Sequence, residues 1–160
     1  MLKYIHDSCD CQFVVQGTLS LEFLDQVPQL DALIVPISGG GLTSGRVIGA
    51  KAKNPAIRVF VAEPKGADDA AQSKSMWKTH KLEPVIRDLV DVVITAEDEE
   101  ILEATRYRYR ILKVVIEPSA AIGLVAVLSD NFKENLVSGC SQNVGIVLSG
   151  GNADLDVLFE

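Results

Sequence analysis

The sequence is short of several features, and each shortage excludes a class of protein. Cysteine occurs only three times in 160 residues, too sparsely for the disulfide framework of a small secreted domain. Basic residues are outnumbered, with 15 Lys and Arg against 22 Asp and Glu, so the net charge of −7 argues against a nucleic-acid surface. The longest apolar runs, such as Ala120–Leu128, are too short to cross a bilayer. The composition, 48% hydrophobic, instead fits one domain with an ordinary core.

The chain alternates between apolar runs of strand length and segments with helical periodicity, which predicts an α/β domain with an open, mostly parallel sheet flanked by helices. The runs predicted as buried strands are residues 31–37, 57–64 and 143–151. The segments predicted as helices are residues 18–27, 42–54, a stretch that begins near Thr95, and a largely apolar stretch from residue 118. Thr95 and Asp98 have the spacing of a capping box at the start of the third helix.

A glycine loop, Pro36–Gly45 with the sequence PISGGGLTSG, lies between the first predicted strand and the helix that follows. Ligands of α/β sheets bind at this end of a strand. Glycines let the backbone approach an anion, and the free N–H groups of a helix start point toward it. One interpretation is a dinucleotide site, with Glu63 on the ribose, although Ser44 stands where the third glycine of that fingerprint belongs. The other is a cradle for a cofactor phosphate.

Six motifs favour the second interpretation because of their order along the chain. They are QGTLSLEFLDQV, DALIVPISGGGLTSG, VAEPKGADDA, IRDLVD, IEPSAAIGLVAVL and VLSGGNADL. Together they resemble the large domain of the pyridoxal-phosphate enzymes of the serine racemase and serine/threonine dehydratase family. The resemblance runs from about Tyr4 to the end, and it implies the tryptophan-synthase-β-like, fold-type II architecture in incomplete form.

The resemblance also assigns residues. It implies that the phosphate of pyridoxal phosphate is held by the loop and that a hydroxyl faces the pyridine nitrogen; these positions are Ser38, Gly39, Gly40, Gly41, Leu42 and Ser149. In the racemases of this family a divalent cation, Mg²⁺ or Ca²⁺, is held by a Glu before proline, a backbone carbonyl and an Asp. These positions match Glu63, Ala67 and Asp69. Asn152 matches a position that contacts ATP as an effector between subunits.

The sequence departs from the family pattern in three places. The motif of the lysine that binds the cofactor covalently does not occur, the small domain has no counterpart, and a Thr-Ile-Ala-Asp-Gly segment is missing after Trp77. Residues 1–160 are therefore expected to form part of the large domain and to be inactive alone, with no catalytic residue assigned. Threonine dehydratase and a non-catalytic fragment or interaction protein are the alternatives.

The partners implied by the resemblance are a small amino acid, serine or threonine, and a second subunit in a homodimer. No nucleic acid and no membrane are expected as partners. The cytoplasm is the expected compartment, because the sparse cysteines suit reduced thiols.

Overall fold

The computed structural model of the chain describes residues 10–37, 41–76, 84–137, 143–151, 154 and 156. Their helices are α1 Asp10–Gln26, α2 Gly41–Lys53, α3 Asp69–Met76, α4 Pro84–Leu89, α5 Asp98–Ile111, α6 Pro118–Leu128 and α7 Asp130–Val137. Their strands are β1 Ala32–Pro36, β2 Arg58–Pro64, β3 Val92–Ala96 and β4 Val144–Ile146, and a 3₁₀ turn covers Lys65–Ala67.

The four strands form one sheet in the order β3-β2-β1-β4, and every pair is parallel. The predicted α/β class with a parallel sheet is therefore confirmed. Strand β3 was not predicted, and α1 begins at Asp10 rather than at residue 18.

Both faces of the sheet are covered, as the continuous apolar strands require. On β1, Leu33 and Val35 join a core cluster with α1, α2 and α4, whereas Ala32 and Ile34 join a second cluster with α5, α6 and α7. Alternate residues of β1 thus pack into the cores on opposite faces of the sheet, which explains why this strand contains no polar residue.

The predicted capping box at Thr95 and Asp98 is wrong. Thr95 pairs with Glu63 at the end of β3, so the chain is still extended there. The box is formed by Glu97 and Glu100: the side chain of Glu97 accepts from the backbone at Glu100, and Glu100 Oε2 accepts from the Glu97 N–H at 3.0 Å. The helix starts only where the sheet pairing ends.

Helices α1 and α2 approach each other closely through glycines. A Cβ on Gly17 would lie 2.9 Å from the Gly45 carbonyl oxygen, and a Cβ on Gly49 would lie 2.6 Å from the Gly17 oxygen. Since real Cβ atoms do not approach oxygen so closely, this contact requires glycine. It fixes α2, and with it the end of the glycine loop.

Candidate functional site

Three connections meet at the carboxyl edge of the sheet. Strand β1 pairs with β4 in the register Ile34 to Ile146 and with β2 in the register Pro36 to Ala62. The described segments that follow the three strands therefore lie side by side: the end of β1 is in the middle, with the segment around Ser149 on one side and the acidic segment after Glu63 on the other. Parallel sheets bind ligands at such an edge.

The glycine loop is described only in part, because Ser38, Gly39 and Gly40 lie outside the described residues. Gly41 and Leu42 are the first two residues of α2, so their N–H groups belong to the helix start, where intrahelical partners are lacking. N–H groups at a helix start are donors of the kind that bind anions.

Thr43 closes this loop and was not singled out from the sequence. Its buried Oγ1 donates a 2.9 Å hydrogen bond to the carbonyl oxygen of Pro36, the last residue of β1. The bond ties the start of α2 to the end of the strand. The only hint of this bond in the sequence was a threonine two residues after the start of the helix.

Ser149 lies half-buried just beyond β4, at the edge where it was predicted. The next residue, Gly150, has φ +73, a left-handed conformation that favours glycine. A Cβ there would lie 2.3 Å from the Glu117 Cδ, and the Glu117 N–H donates to the Gly150 carbonyl oxygen at 2.9 Å. The start of α6 is therefore anchored beside Ser149.

Glu117 is consequently a second residue that the sequence did not single out. It places a carboxylate against Gly150, one residue from Ser149. The only hint of its role in the sequence is its position directly before the proline that starts a helix.

The acidic segment is centred on Glu63, which is only 2% exposed at the end of β2. Its Oε1 accepts from the Ala71 N–H at 2.6 Å, and its Oε2 accepts from the Ala70 N–H at 3.1 Å, so the side chain caps α3. Burial raises the pKa of Glu63. The two hydrogen bonds oppose that rise, and the charges of Asp68 and Asp69 add to it.

The three predicted cation ligands thus lie within one short segment, but they are not equivalent. Ala67 ends the 3₁₀ turn and Asp69 begins α3, and both are exposed, whereas Glu63 is buried. Within the described part of the chain, no group of three or more His, Cys, Asp or Glu side chains is arranged for a metal. The charges of Asp68 and Asp69 nevertheless repel that of Glu63. A divalent cation bound by carboxylate oxygens would relieve this repulsion.

Three described lysines, one in the acidic segment and two on α2, form ion pairs. Lys65 forms an ion pair with Glu97. Lys51 pairs with Asp91 at 2.9 Å and Lys53 pairs with Asp25, both in the last turn of α2, away from the glycine loop. The predicted nucleotide contact, Asn152, lies outside the described residues. No helix in the described residues has both the length and the apolar character needed to cross a membrane.

Residues 3–150 match the family model described as pyridoxal-phosphate dependent enzyme. The chain belongs to this family. The resemblance that the ordered motifs carry is thereby confirmed, and it favours a phosphate cradle over a dinucleotide site.

Relatives within the family are similar over nearly all of this chain. The serine racemase of Arabidopsis thaliana is 51% identical over 91% of this chain and 49% of its own length. The serine racemase of Homo sapiens is 43% identical over 88% of this chain and 46% of its own length. The structure of maize serine racemase superposes with a TM-score of 0.83 at 51% identity, covering 90% of this chain and 49% of that one. The chain therefore spans about half the length of these relatives.

Proposed function

We propose that the chain is part of the large domain of a serine racemase that also dehydrates serine, and that it holds the phosphate end of pyridoxal phosphate. One observation carries the proposal: the start of α2 and Ser149 follow the carboxyl ends of two neighbouring parallel strands, β1 and β4. The 51% identity to the serine racemase of Arabidopsis thaliana supports the choice of serine as substrate.

Each residue has a distinct task in this proposal. The amides of Gly41 and Leu42, together with Ser38, Gly39 and Gly40, bind the phosphate. When bound, pyridoxal phosphate supplies an electron sink for the charge left at the substrate α-carbon. Ser149 offers the pyridine nitrogen a neutral hydroxyl, which does not hold that nitrogen protonated as a carboxylate does. The loop and Ser149 thus position the ring from two ends.

Cofactor binding is tested with Gly40→Val, which places a branched side chain in the cradle. We expect pyridoxal phosphate to protect the wild-type loop from limited proteolysis and to leave the variant unprotected. Gly66→Val is the matched control, because a Cβ at Gly66 meets nothing within 4 Å. Equal protection of wild type and Gly40→Val makes the loop a structural turn, and stronger protection by NAD returns the dinucleotide interpretation.

The same preparations are assayed for D-serine and pyruvate formed from L-serine. We expect no turnover by the 160-residue chain above that of free cofactor, because the family's lysine motif does not occur in it. Turnover with one lysine stoichiometrically labelled after borohydride reduction contradicts this. Dehydration of threonine remains the alternative activity. It is supported by the similarity to a threonine deaminase structure, with 31% identity and a TM-score of 0.74.

The cation site at Glu63, Ala67 and Asp69 is a further part of the proposal, supported by the charges of Asp68 and Asp69, which raise the pKa of the Glu63 carboxylate. We expect Mg²⁺ or Ca²⁺ to raise the melting temperature, since a ligand that binds only the native state stabilises it. Asp69→Asn should remove the shift, while Asp98→Asn, a control at the start of another helix, should retain it. An unmoved wild-type melting curve, or an equal shift in both variants, refutes the site.

The finer assignments stay predictions. A homodimer is supported by apolar side chains between α5 and α6 that are about half exposed: Ile111, Leu112, Val114 and Val115. ATP contact at Asn152 and a cytoplasmic location rest on the sequence alone.

A further inference from the structure

Arg46 lies on the face of α2 that is turned toward the end of β1. Residues three and four positions apart share a helix face, and on α2 they form one buried stripe: Thr43, Arg46, Val47 and Ala50. The hydroxyl of Thr43 donates to the carbonyl oxygen of Pro36, the last residue of β1. The N-terminal end of the stripe therefore lies at the carboxyl edge of the sheet.

The guanidinium of Arg46 is directed toward the start of α2. Long side chains of a helix point back over the preceding turn, toward its N-terminus. Toward the C-terminal end the stripe continues with Val47 and Ala50, which belong to an apolar core cluster and offer no partner for a charge. The rise from Gly41 to Arg46 is about 7.5 Å along the helix axis, which an arginine side chain largely covers. The guanidinium is thus aimed at the amides of Gly41 and Leu42.

The charge of Arg46 has little compensation within the described part of the chain. Its side chain is only 2% exposed, and Nε and Nη1 have no hydrogen-bond partner there. Burial lowers the pKa of Arg46, whereas a nearby carboxylate would raise it. The start of a helix carries a positive partial charge, so α2 itself opposes the cation. Arg108 is similarly buried, but it lies in the last turn of α5, where the helix dipole favours a cation.

We propose that Arg46 donates charge-assisted hydrogen bonds to the phosphate group held at the start of α2, an inference that rests on the proposed function. A phosphate monoester carries a charge of about −1.5 to −2 near neutral pH, whereas a helix start offers only about +0.5. A guanidinium supplies the missing positive charge and a planar fork of donors that fits phosphate oxygens. The phosphate in turn satisfies the buried donors of Arg46. The site therefore selects phosphorylated ligands over their phosphate-free forms.

The test uses the intact 160-residue chain and ligands without an aldehyde, so that lysines are not modified. The ligands are pyridoxine phosphate, inorganic phosphate and phosphate-free pyridoxine, and isothermal titration calorimetry measures their dissociation constants. We expect wild type to bind pyridoxine phosphate more tightly than pyridoxine. Arg46→Met should weaken the binding of both phosphates at least about tenfold, because hydrogen bonds from a charged donor are lost.

Arg108→Met is the matched control, because it removes a similarly buried arginine from another helix and should bind both phosphates as wild type does. Arg46→Lys keeps the charge without the planar fork, so it should recover part of the affinity that Arg46→Met loses. Thermal melting without ligand shows that each variant is folded, which separates lost binding from lost structure.

The outcomes distinguish this inference from the proposed function. Wild-type affinity of Arg46→Met for both phosphates, or an equal loss in Arg108→Met, overturns the role of Arg46. If Gly40→Val abolishes binding of pyridoxine phosphate while Arg46→Met retains it, the cradle stands and only the inference fails. The reverse pattern keeps Arg46 as a phosphate ligand and refutes the cradle. If wild type binds neither phosphate, both are wrong.

Discussion

Arg46→Met and Arg108→Met are each expected to raise the free energy of unfolding, although both remove a charged residue from an acidic protein. Arg46 on α2 is 2% exposed and Arg108 on α5 is 1% exposed. Among the residues that the structure describes, Nε and Nη1 of both guanidinium groups have no hydrogen-bond partner. Burial lowers the pKa of both residues, in the case of Arg108 against a smaller opposing influence from Tyr109. The folded state therefore holds two poorly compensated charges.

Methionine retains much of the apolar stem and removes the unsatisfied donors. Each replacement should stabilise the chain by about 2 kcal/mol, since buried charge without full pairing costs at least this much. That change corresponds to a rise in melting temperature of about 4–8 °C for a chain of this size. Urea denaturation of the two single variants and of the double variant measures the effect and its additivity.

Arg58→Met is the matched control, with the opposite expected sign. Arg58 Nη1 donates to the Asn135 carbonyl oxygen, and its guanidinium lies 4.9 Å from the centroid of the Phe60 ring. Loss of both contacts should destabilise the chain by about 1–2 kcal/mol. If all three replacements destabilise to the same degree, then burial of Arg46 and Arg108 carries no penalty and the prediction is wrong.

Gly49→Ala should destabilise the chain by about 1–3 kcal/mol despite the better helix propensity of alanine, because overpacking exceeds that gain. The new Cβ would lie 2.6 Å from the Gly17 oxygen, a backbone atom that can move only if α1 moves with it. Separation of α1 from α2 also disturbs the start of α2. Pyridoxal phosphate should therefore protect the glycine loop less well from limited proteolysis.

Gly66→Ala is the control for this change, since its Cβ meets nothing within 4 Å. Its stability should stay within about 0.5 kcal/mol of wild type, as is usual for exposed positions. Urea denaturation of the two variants side by side decides the matter. Equal stabilities would mean that the α1–α2 contact tolerates a methyl group.

The local pattern predicted the fold class, and it predicted where the first strand gives way to a helix, for physical reasons. A strand buried on both faces has to be apolar throughout, so DALIVPI could be assigned without knowledge of its neighbours. The glycine loop was placed at the correct boundary, and α2 begins at Gly41 as the helix-start chemistry requires. The family followed from six motifs in order, a signal that lies in the whole chain and not in one loop.

Other features depend on contacts that local periodicity does not encode. Strand β3, with Val92 and Val93 half-buried at the far edge, resembles many short apolar runs until its pairing with β2 is known. Thr95 looked like a helix cap because its spacing to Asp98 is suitable, yet sheet pairing keeps it extended and passes the role to Glu97.

The sequence by itself determined that this protein is an α/β domain of a pyridoxal-phosphate family with a glycine-rich loop after its first strand. Only the tertiary structure decided that β4 lies beside β1 and that Glu117 packs against Gly150 next to Ser149. Helical and strand periods arise from interactions a few residues apart, so a sequence displays them directly. The order of strands arises from pairing between residues about a hundred positions apart, as in Leu33 with Gly145, and only the folded chain brings them together.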